Sequence, residues 1–344
     1  MASQVSIIDL FSGPGGLGEG FASVLTGSES AYRIEVSIEK EASAHSTLRL
    51  RAFLRRFPEL PSEYLAWLRL GGPQPDWAAL YPTDWAAADH EARCAELGTV
   101  GTEDLLERRV RALEASGQRK TLLIGGPPCQ AYSLAGRSRN AGIADYDAMK
   151  DHRNFLYEEY VRVLDRLNPV AFVMENVKGI LSSSVQGRAI FGSVMRDLKA
   201  AGGGYRLFAL SAATLLSAEP GPKDFIVCAE EHGVPQARHR VIITGIRRDI
   251  ADNLPAELAP RLLFAPRPVT LDQAIGHLPP LRSGLSRNDH AEAWVSAMLE
   301  ASQVVEESLP AIQVSRPGEF RALLSRVRAD PGPMALSGRE ATFL

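Results

Sequence analysis

The stretch Val5-Ser6-Ile7-Ile8-Asp9-Leu10-Phe11 runs without a break into Ser12-Gly13-Pro14-Gly15-Gly16-Leu17-Gly18-Glu19-Gly20-Phe21. A short β-branched run that ends in clustered glycines and resumes as an apolar-periodic stretch predicts a strand, a tight turn and a helix in succession. Gly13, Gly15 and Gly18 satisfy G-x-G-x-x-G, a spacing in which glycine lets the backbone turn sharply and come close to a ligand. Polar groups of that ligand can then meet the free N–H groups of the following helix.

Four more runs of the same kind follow: Ile34 to Ile38, Thr121 to Ile124, Val170 to Met174 and Val241 to Thr244. Their length and bounding Gly, Pro or polar residues suit strands buried on both faces of a mostly parallel sheet. Helical stretches between them put helices on both faces, so the class is α/β. Leu50 to Lys120 is longer than one crossover needs and is read as helices plus an insertion, with Trp67, Trp77 and Trp85 and one further strand near Cys94 to Val100. After Arg248 prolines punctuate short segments, and a helical stretch runs from about Asp289 to Glu307. The expected division is a main domain over residues 1–250, with the insertion at about 50–120, and an extension over 251–344.

The net charge of −3 on 344 residues leaves no basic footprint, so any case for nucleic acid must come from the site. Cys94, Cys129 and Cys228 are too few and too scattered for a disulfide framework or a zinc spacing, and no metal is expected. No apolar run approaches the roughly 18 residues that span a bilayer, and no targeting segment is visible, which predicts a cytoplasmic protein without a membrane partner. Arg49, Arg51, Arg55 and Arg56 read as a solvated helix face. The other basic clusters, Arg137 with Arg139 and Arg238 with Arg240, flank candidate chemistry.

Glu39 ends the second strand at the spacing of a group that accepts hydrogen bonds from ribose hydroxyls. With the glycine loop it argues for an adenosine-containing cofactor, nicotinamide cofactors being the competing reading. The third run ends in Gly125-Gly126-Pro127-Pro128-Cys129-Gln130, a loop at the carboxyl edge of the sheet, where open α/β sheets bind ligands. That placement makes Cys129 a nucleophile, whereas Cys94 and Cys228 read as buried small hydrophobes. The fourth run ends in Glu175-Asn176-Val177, which brings a carboxylate to the same edge. In Gln236-Ala237-Arg238-His239-Arg240, alternate residues Gln236, Arg238 and Arg240 share one face of an incipient strand, which calls for a ligand or an ion-pair network.

Taken in order, Asp9 to Gly16, Pro-Pro-Cys-Gln, Glu175-Asn176-Val177 and Gln-x-Arg-x-Arg resemble the cytosine-5 DNA methyltransferases, over about Val5 to Arg248. The resemblance implies a Rossmann-like, S-adenosylmethionine-dependent fold and transfer of a methyl group to C5 of a cytosine flipped out of double-stranded DNA. By resemblance Cys129 adds to C6, Glu175 serves N3 and the exocyclic amine, Arg240 binds O2, Arg238 supports the site and Asn176 holds the Pro-Cys loop. Phe11 packs on the adenosine, the backbone of Ser12, Gly13, Pro14, Gly15, Gly16 and Leu17 meets the methionine end, Glu39 holds the ribose and Pro128 lies near the cofactor. Ser133, Arg137 and Arg139 are expected to hold phosphates around the flipped base, with Gln236 also on the nucleic acid.

The chain departs from the family's pattern in two places. Glu96-Leu97-Gly98-Thr99-Val100 lacks the aspartate that usually meets the adenine amine, and neither the arginine-containing helix nor the Gly-Asn helix appears before Leu344. A completing chain or a missing carboxy-terminal portion is therefore expected to carry target recognition. Methylation of a tRNA cytosine and a noncatalytic DNA-binding or assembly subunit are the alternative functions.

Overall fold

The structure is a computed structural model that describes residues 4–118, 120–128, 156–185, 188–210, 220–278, 284–285, 287–311 and 317–329. Its main sheet contains β1 (Val5–Leu10), β2 (Tyr32–Glu39), β3 (Ala92–Cys94), β4 (Thr121–Gly125), β5 (Ala171–Val177), β6 (Tyr205–Phe208), β7 (Ile226–Cys228) and β8 (His239–Arg247). The spatial order is β6-β8-β5-β4-β1-β2-β3, with β7 pairing β8 as well. From β5 to β3 every pairing is parallel. The chain winds outward from β1 through β2 to β3, then returns to the other side of β1 with β4. The carboxyl ends of β1 and β4 thus flank the point where strand order reverses, and open sheets bind ligands there.

Helices cover both faces, as the apolar runs predict. On one face α1 (Gly16–Ala22) places Leu17, Phe21 and Ala22 on a core of Ile7, Ile34, Leu122 and Ile124. The opposite face carries α4 (Val100–Ala115), α5 (Leu156–Leu167) and α6 (Ile190–Ala200). Leu106, Val110, Tyr160, Leu164, Val194 and Leu198 of these helices close over Ile8, Leu10, Leu123, Phe172 and Met174. Along β1, β4 and β5 the apolar residues alternate between the two clusters, as the two-residue period of a sheet covered on both sides requires, and in β2 a bulge between Ile34 and Val36 shifts the register.

Three sequence expectations change. The strand expected near Cys94 to Val100 lies just before it, at Ala92–Cys94, because Thr99 turns back to hydrogen-bond the Glu96 carbonyl (2.9 Å) and α4 begins at Val100. The last strand, β8, is antiparallel to β5 and not part of the parallel set; an apolar run reports burial and carries no sign of direction. The arginines of α2 (Ala42–Leu54) and the residues after it do not form a solvated face. Arg49 pairs with Asp89 at 3.0 Å and lies over the Trp85 ring, Arg56 pairs with Asp84 at 2.9 Å, and Arg55 bridges Glu19 and Glu91. These carboxylates, apart from Glu19, sit on α3 (Pro82–Glu91), which packs on α2 around Phe53, Trp77, Tyr81 and Trp85.

The chain forms two compact units: residues 1–60 with 76–270, and residues 61–75 with 271–344. The second contains helix Ser62–Leu70, α7 (Ala291–Ser308) and α8 (Pro317–Ala329). Within it Arg328 of α8 donates to Ser302 Oγ of α7 (3.0 Å) and pairs with Glu306. Among the described residues no helix is long and apolar enough to cross a membrane.

Candidate active site

The loop after β1 opens with Phe11 in the left-handed region, φ 54°, an uncommon conformation for a bulky side chain that turns the chain off the strand. Ser12 is buried; its N–H donates to the Ile38 carbonyl of β2 (3.1 Å) and its hydroxyl to the main-chain oxygen of Asp9 (3.0 Å). Gly15 caps α1 at φ 91°, which glycine adopts without steric cost. Pro14 and Gly16 are exposed, Leu17 turns into the core, and a Cβ on Gly13 or Gly16 would meet open space.

Glu39 closes this loop from the end of β2. One carboxylate oxygen accepts the Gly13 N–H at 2.7 Å and the other accepts the Glu41 N–H at 2.7 Å. A carboxylate offers about four lone-pair positions, so two remain for a further donor. The glycine loop and the acidic residue expected to serve one cofactor are therefore bonded directly to each other.

The loop after β4 lies beside it. Asn176, on β5, is buried; its Nδ2 donates to the Pro127 carbonyl (3.2 Å), and its Oδ1 accepts the Val177 N–H (2.8 Å). Pro128 is partly buried. Cys129, Ser133, Arg137 and Arg139 lie outside the described residues.

Glu175 precedes Asn176 and faces the same loop. A Cβ on Gly126 would stand 3.1 Å from Glu175 Oε2, so glycine at 126 leaves room for the carboxylate. On the other side Arg240 Nε lies 2.8 Å from Glu175 Oε1, and Arg238 Nη2 lies 3.9 Å from the same oxygen. The antiparallel course of β8 explains this convergence. A strand running against the parallel set begins at the edge where the parallel strands end, so the first residues of β8 arrive next to the last residues of β5, with Arg240 opposite Val177.

The alternation expected for Gln236, Arg238 and Arg240 is not strand geometry. β8 starts at His239, and before it the chain takes two tight turns, with Gln236 N–H donating to the Val234 carbonyl (2.7 Å) and Arg238 N–H to the Gln236 carbonyl (2.8 Å). Gln236 is exposed in the first of these turns. Cys94 is exposed and Cys228 half-buried, not interior as read. Cys228, Glu230 and His239 bring potential metal-ligand atoms within 4.8 Å of one another. His239 meets Glu230 at 2.5 Å through Nε2 and Lys178 at 3.1 Å through Nδ1, a hydrogen-bonded Lys–His–Glu chain that shares His239 and Glu230 with this cluster. Gly126, the Pro127 carbonyl and Asp9 fall in motifs legible in the sequence, but their contacts were not; for Asp9 the signal is an acidic residue inside the apolar run Ile7 to Phe11.

A sheet wound both ways from β1, with the glycine loop after β1 and the Gly126–Pro128 segment after β4 at its reversal point, is a Rossmann-like α/β fold. The comparisons with known proteins narrow the class. Residues 103–308 match the family of C-5 cytosine-specific DNA methylases, and the chain belongs to that family. It is 30% identical over 294 residues to the type II methyltransferase M.Bpa9945I of Bacillus paralicheniformis, covering 80% of this chain and 61% of that one. It is 31% identical over 248 residues to the type II methyltransferase M.AquIA of Picosynechococcus, covering 71% and 73%. It is 28% identical over 200 residues to M.DdeI of Desulfomicrobium norvegicum, covering 58% of this chain and 42% of that one. The chain thus spans from two-fifths to three-quarters of these relatives' lengths.

Proposed function

We propose that this chain carries the catalytic core of a DNA (cytosine-5)-methyltransferase that uses S-adenosylmethionine and works through a covalent bond between Cys129 and cytosine C6. The observation that carries the reading is the contact of Glu175 with Arg240 at 2.8 Å, beside Gly126 of the loop that leads to Cys129. Cytosine C5 is too weak a nucleophile to take a methyl group directly. Addition of a thiolate at C6 turns the ring into an enamine, and C5 then takes the methyl group from the sulfonium, which becomes a neutral thioether. Loss of the C5 proton and expulsion of the thiolate restore the ring.

Glu175 is suited to hydrogen-bond N3 and the exocyclic amine as charge develops there, with Arg240 on O2 and Arg238 behind them. Asn176 is a positioning residue that fixes the nucleophile loop through Pro127. Phe11, the loop from Ser12 to Leu17, Glu39 and Pro128 fit the cofactor: the open side of Gly13 and Gly16 gives an adenosine ligand room, and Glu39 keeps lone pairs for ribose hydroxyls. Duplex DNA is the substrate in this reading, with Ser133, Arg137, Arg139 and Gln236 on it and the target base flipped. The relatives extend beyond the matched span, and a partner chain or carboxy-terminal portion is the proposed source of target recognition.

Incubating the protein, with any completing chain, with the cofactor and DNA containing 5-fluorocytosine should give a covalent adduct that Cys129→Ser abolishes. Fluorine cannot leave C5 as a cation, so the adduct persists. A wild-type protein that forms no adduct sinks the reading, and an adduct on tRNA in place of DNA redirects it to RNA.

A further inference from the structure

Asp9 lies in the strand that feeds the glycine loop, and the mechanism above gives it no task. Its residue is 1% exposed, and neither carboxyl oxygen has a hydrogen-bond partner among the described residues. Gly18 of α1 closes over it: a Cβ there would stand 3.0 Å from Asp9 Oδ2. The Ser12 hydroxyl, the nearest donor by sequence, is directed to the main-chain oxygens of Asp9 and Ile38.

Burial pushes the Asp9 carboxyl up to about 7, opposed by Ser12 and the Arg55 guanidinium and reinforced by Glu91 and Glu39. The charged and titratable groups around it are Arg55 after α2, which pairs with Glu19 of α1 and Glu91 of α3, Glu39 at the end of β2, and the Tyr160 hydroxyl of α5. All of them are fixed parts of the chain. Desolvation favours the neutral carboxyl and the Arg55 charge opposes it, so that a new nearby charge tips the balance.

We propose that Asp9 makes the glycine loop respond to the charge on the cofactor's sulfur, releasing its proton to solvent when the methyl sulfonium form binds and holding it when the neutral thioether product is bound. The inference rests on the S-adenosylmethionine reading. The two ligands share their adenosine and amino-acid ends and differ by one methyl group and one positive charge. Asp9 stands four residues before Gly13 in the same loop-bearing segment, and Gly18 of the following helix closes on its carboxyl. A unit charge within about 10 Å at an effective dielectric of about 20 moves a carboxyl by about one pKa unit. The ionised form of Asp9 therefore favours cofactor over product, and the protonated form removes the preference.

The test is calorimetric binding of S-adenosylmethionine and S-adenosylhomocysteine to the full chain, in buffers of different ionisation enthalpy. In the wild type the ratio of cofactor to product affinity should rise roughly tenfold between about pH 5.5 and 8.5, with proton release for the sulfonium alone near neutrality. In Asp9→Asn the ratio should not change with pH. A pH-independent ratio in the wild type, or the same rise in Asp9→Asn, overturns the inference and leaves the cofactor assignment intact. A wild type that binds neither ligand overturns the cofactor assignment and this inference with it. Should Asp9→Asn fail to fold, equal buffer-dependent proton release for the two ligands in the wild type overturns the inference, and release for the sulfonium alone supports it.

Discussion

Glu39 and Glu175 occupy equivalent places on the two sides of the reversal point, each near the carboxyl end of a parallel strand, yet they are held by different means. Main-chain N–H groups of Gly13 and Glu41 grip Glu39, both at 2.7 Å. Guanidinium groups of Arg240 and Arg238, more than sixty residues away in sequence, hold Glu175. An amide grip fixes geometry and adds no net charge. A guanidinium grip brings charge that a substrate can share, through side chains that can exchange partners. In the proposed function the Glu39 side, held by main-chain amides, receives the cofactor, and the Glu175 side, held by guanidinium groups, is the charged set that would rearrange around a developing anion.

Removing the charge at Glu175 should break the target side most severely. Glu175→Gln deletes the ionic partner of Arg240 and, in the proposed mechanism, the group that serves N3, and a loss of roughly 10²- to 10⁴-fold in methyl transfer is expected. Cofactor affinity, measured by calorimetry, should stay within about twofold. A variant that loses cofactor binding as fast as turnover would show that the two sides are not separable.

Asp9, near the end of β1, is a further carboxylate, and no described residue donates a hydrogen bond to it. Its folded-state pKa of about 7 lies above the ordinary value of 3.8. As pH rises from about 4 to about 7, the unfolded chain ionises while the folded one keeps its proton, so stability falls, by about 1.4 kcal/mol per pH unit and on the order of 4 kcal/mol in all. Above that window both states are ionised and the slope ends. Asp9→Asn removes the dependence. Urea unfolding should therefore show the variant gaining on the wild type by several kcal/mol between about pH 4 and pH 7.5, and parallel curves for the two proteins would refute the burial argument.

The contrast between the two sides also marks how far the sequence could be read. Five strands, the glycine loop and the edge positions of Glu39, Glu175 and Asn176 follow from apolar runs and their terminators, since burial and turn chemistry are local. The direction of β8 does not, and with it goes the reason that Arg240 meets Glu175. Pairing of Arg49, Arg55 and Arg56 with Asp89, Glu91 and Asp84 was equally hidden, because a charge run looks the same whether its partners are water or a helix some thirty residues on. The alternate spacing singles out Arg238 together with Arg240, although only Arg240 lies in the strand.

The smallest expected effect sharpens the cofactor side. Glu39→Gln keeps one carbonyl oxygen for either the Gly13 or the Glu41 N–H but turns an NH₂ toward the other, so one of the two amide bonds is lost. The fold should persist, because β2 is buried along Ile34, Val36 and Ile38 regardless of its last residue. Cofactor affinity should fall about tenfold, equivalent to about 1.4 kcal/mol, while turnover at saturating cofactor changes little. Glu39→Asp tests the same cradle by length: it keeps the charge but withdraws it by one methylene, and affinity should fall comparably if the Gly13 and ribose contacts need both charge and reach. Full affinity in Glu39→Asp would assign the effect to charge alone and would make the amide grip incidental.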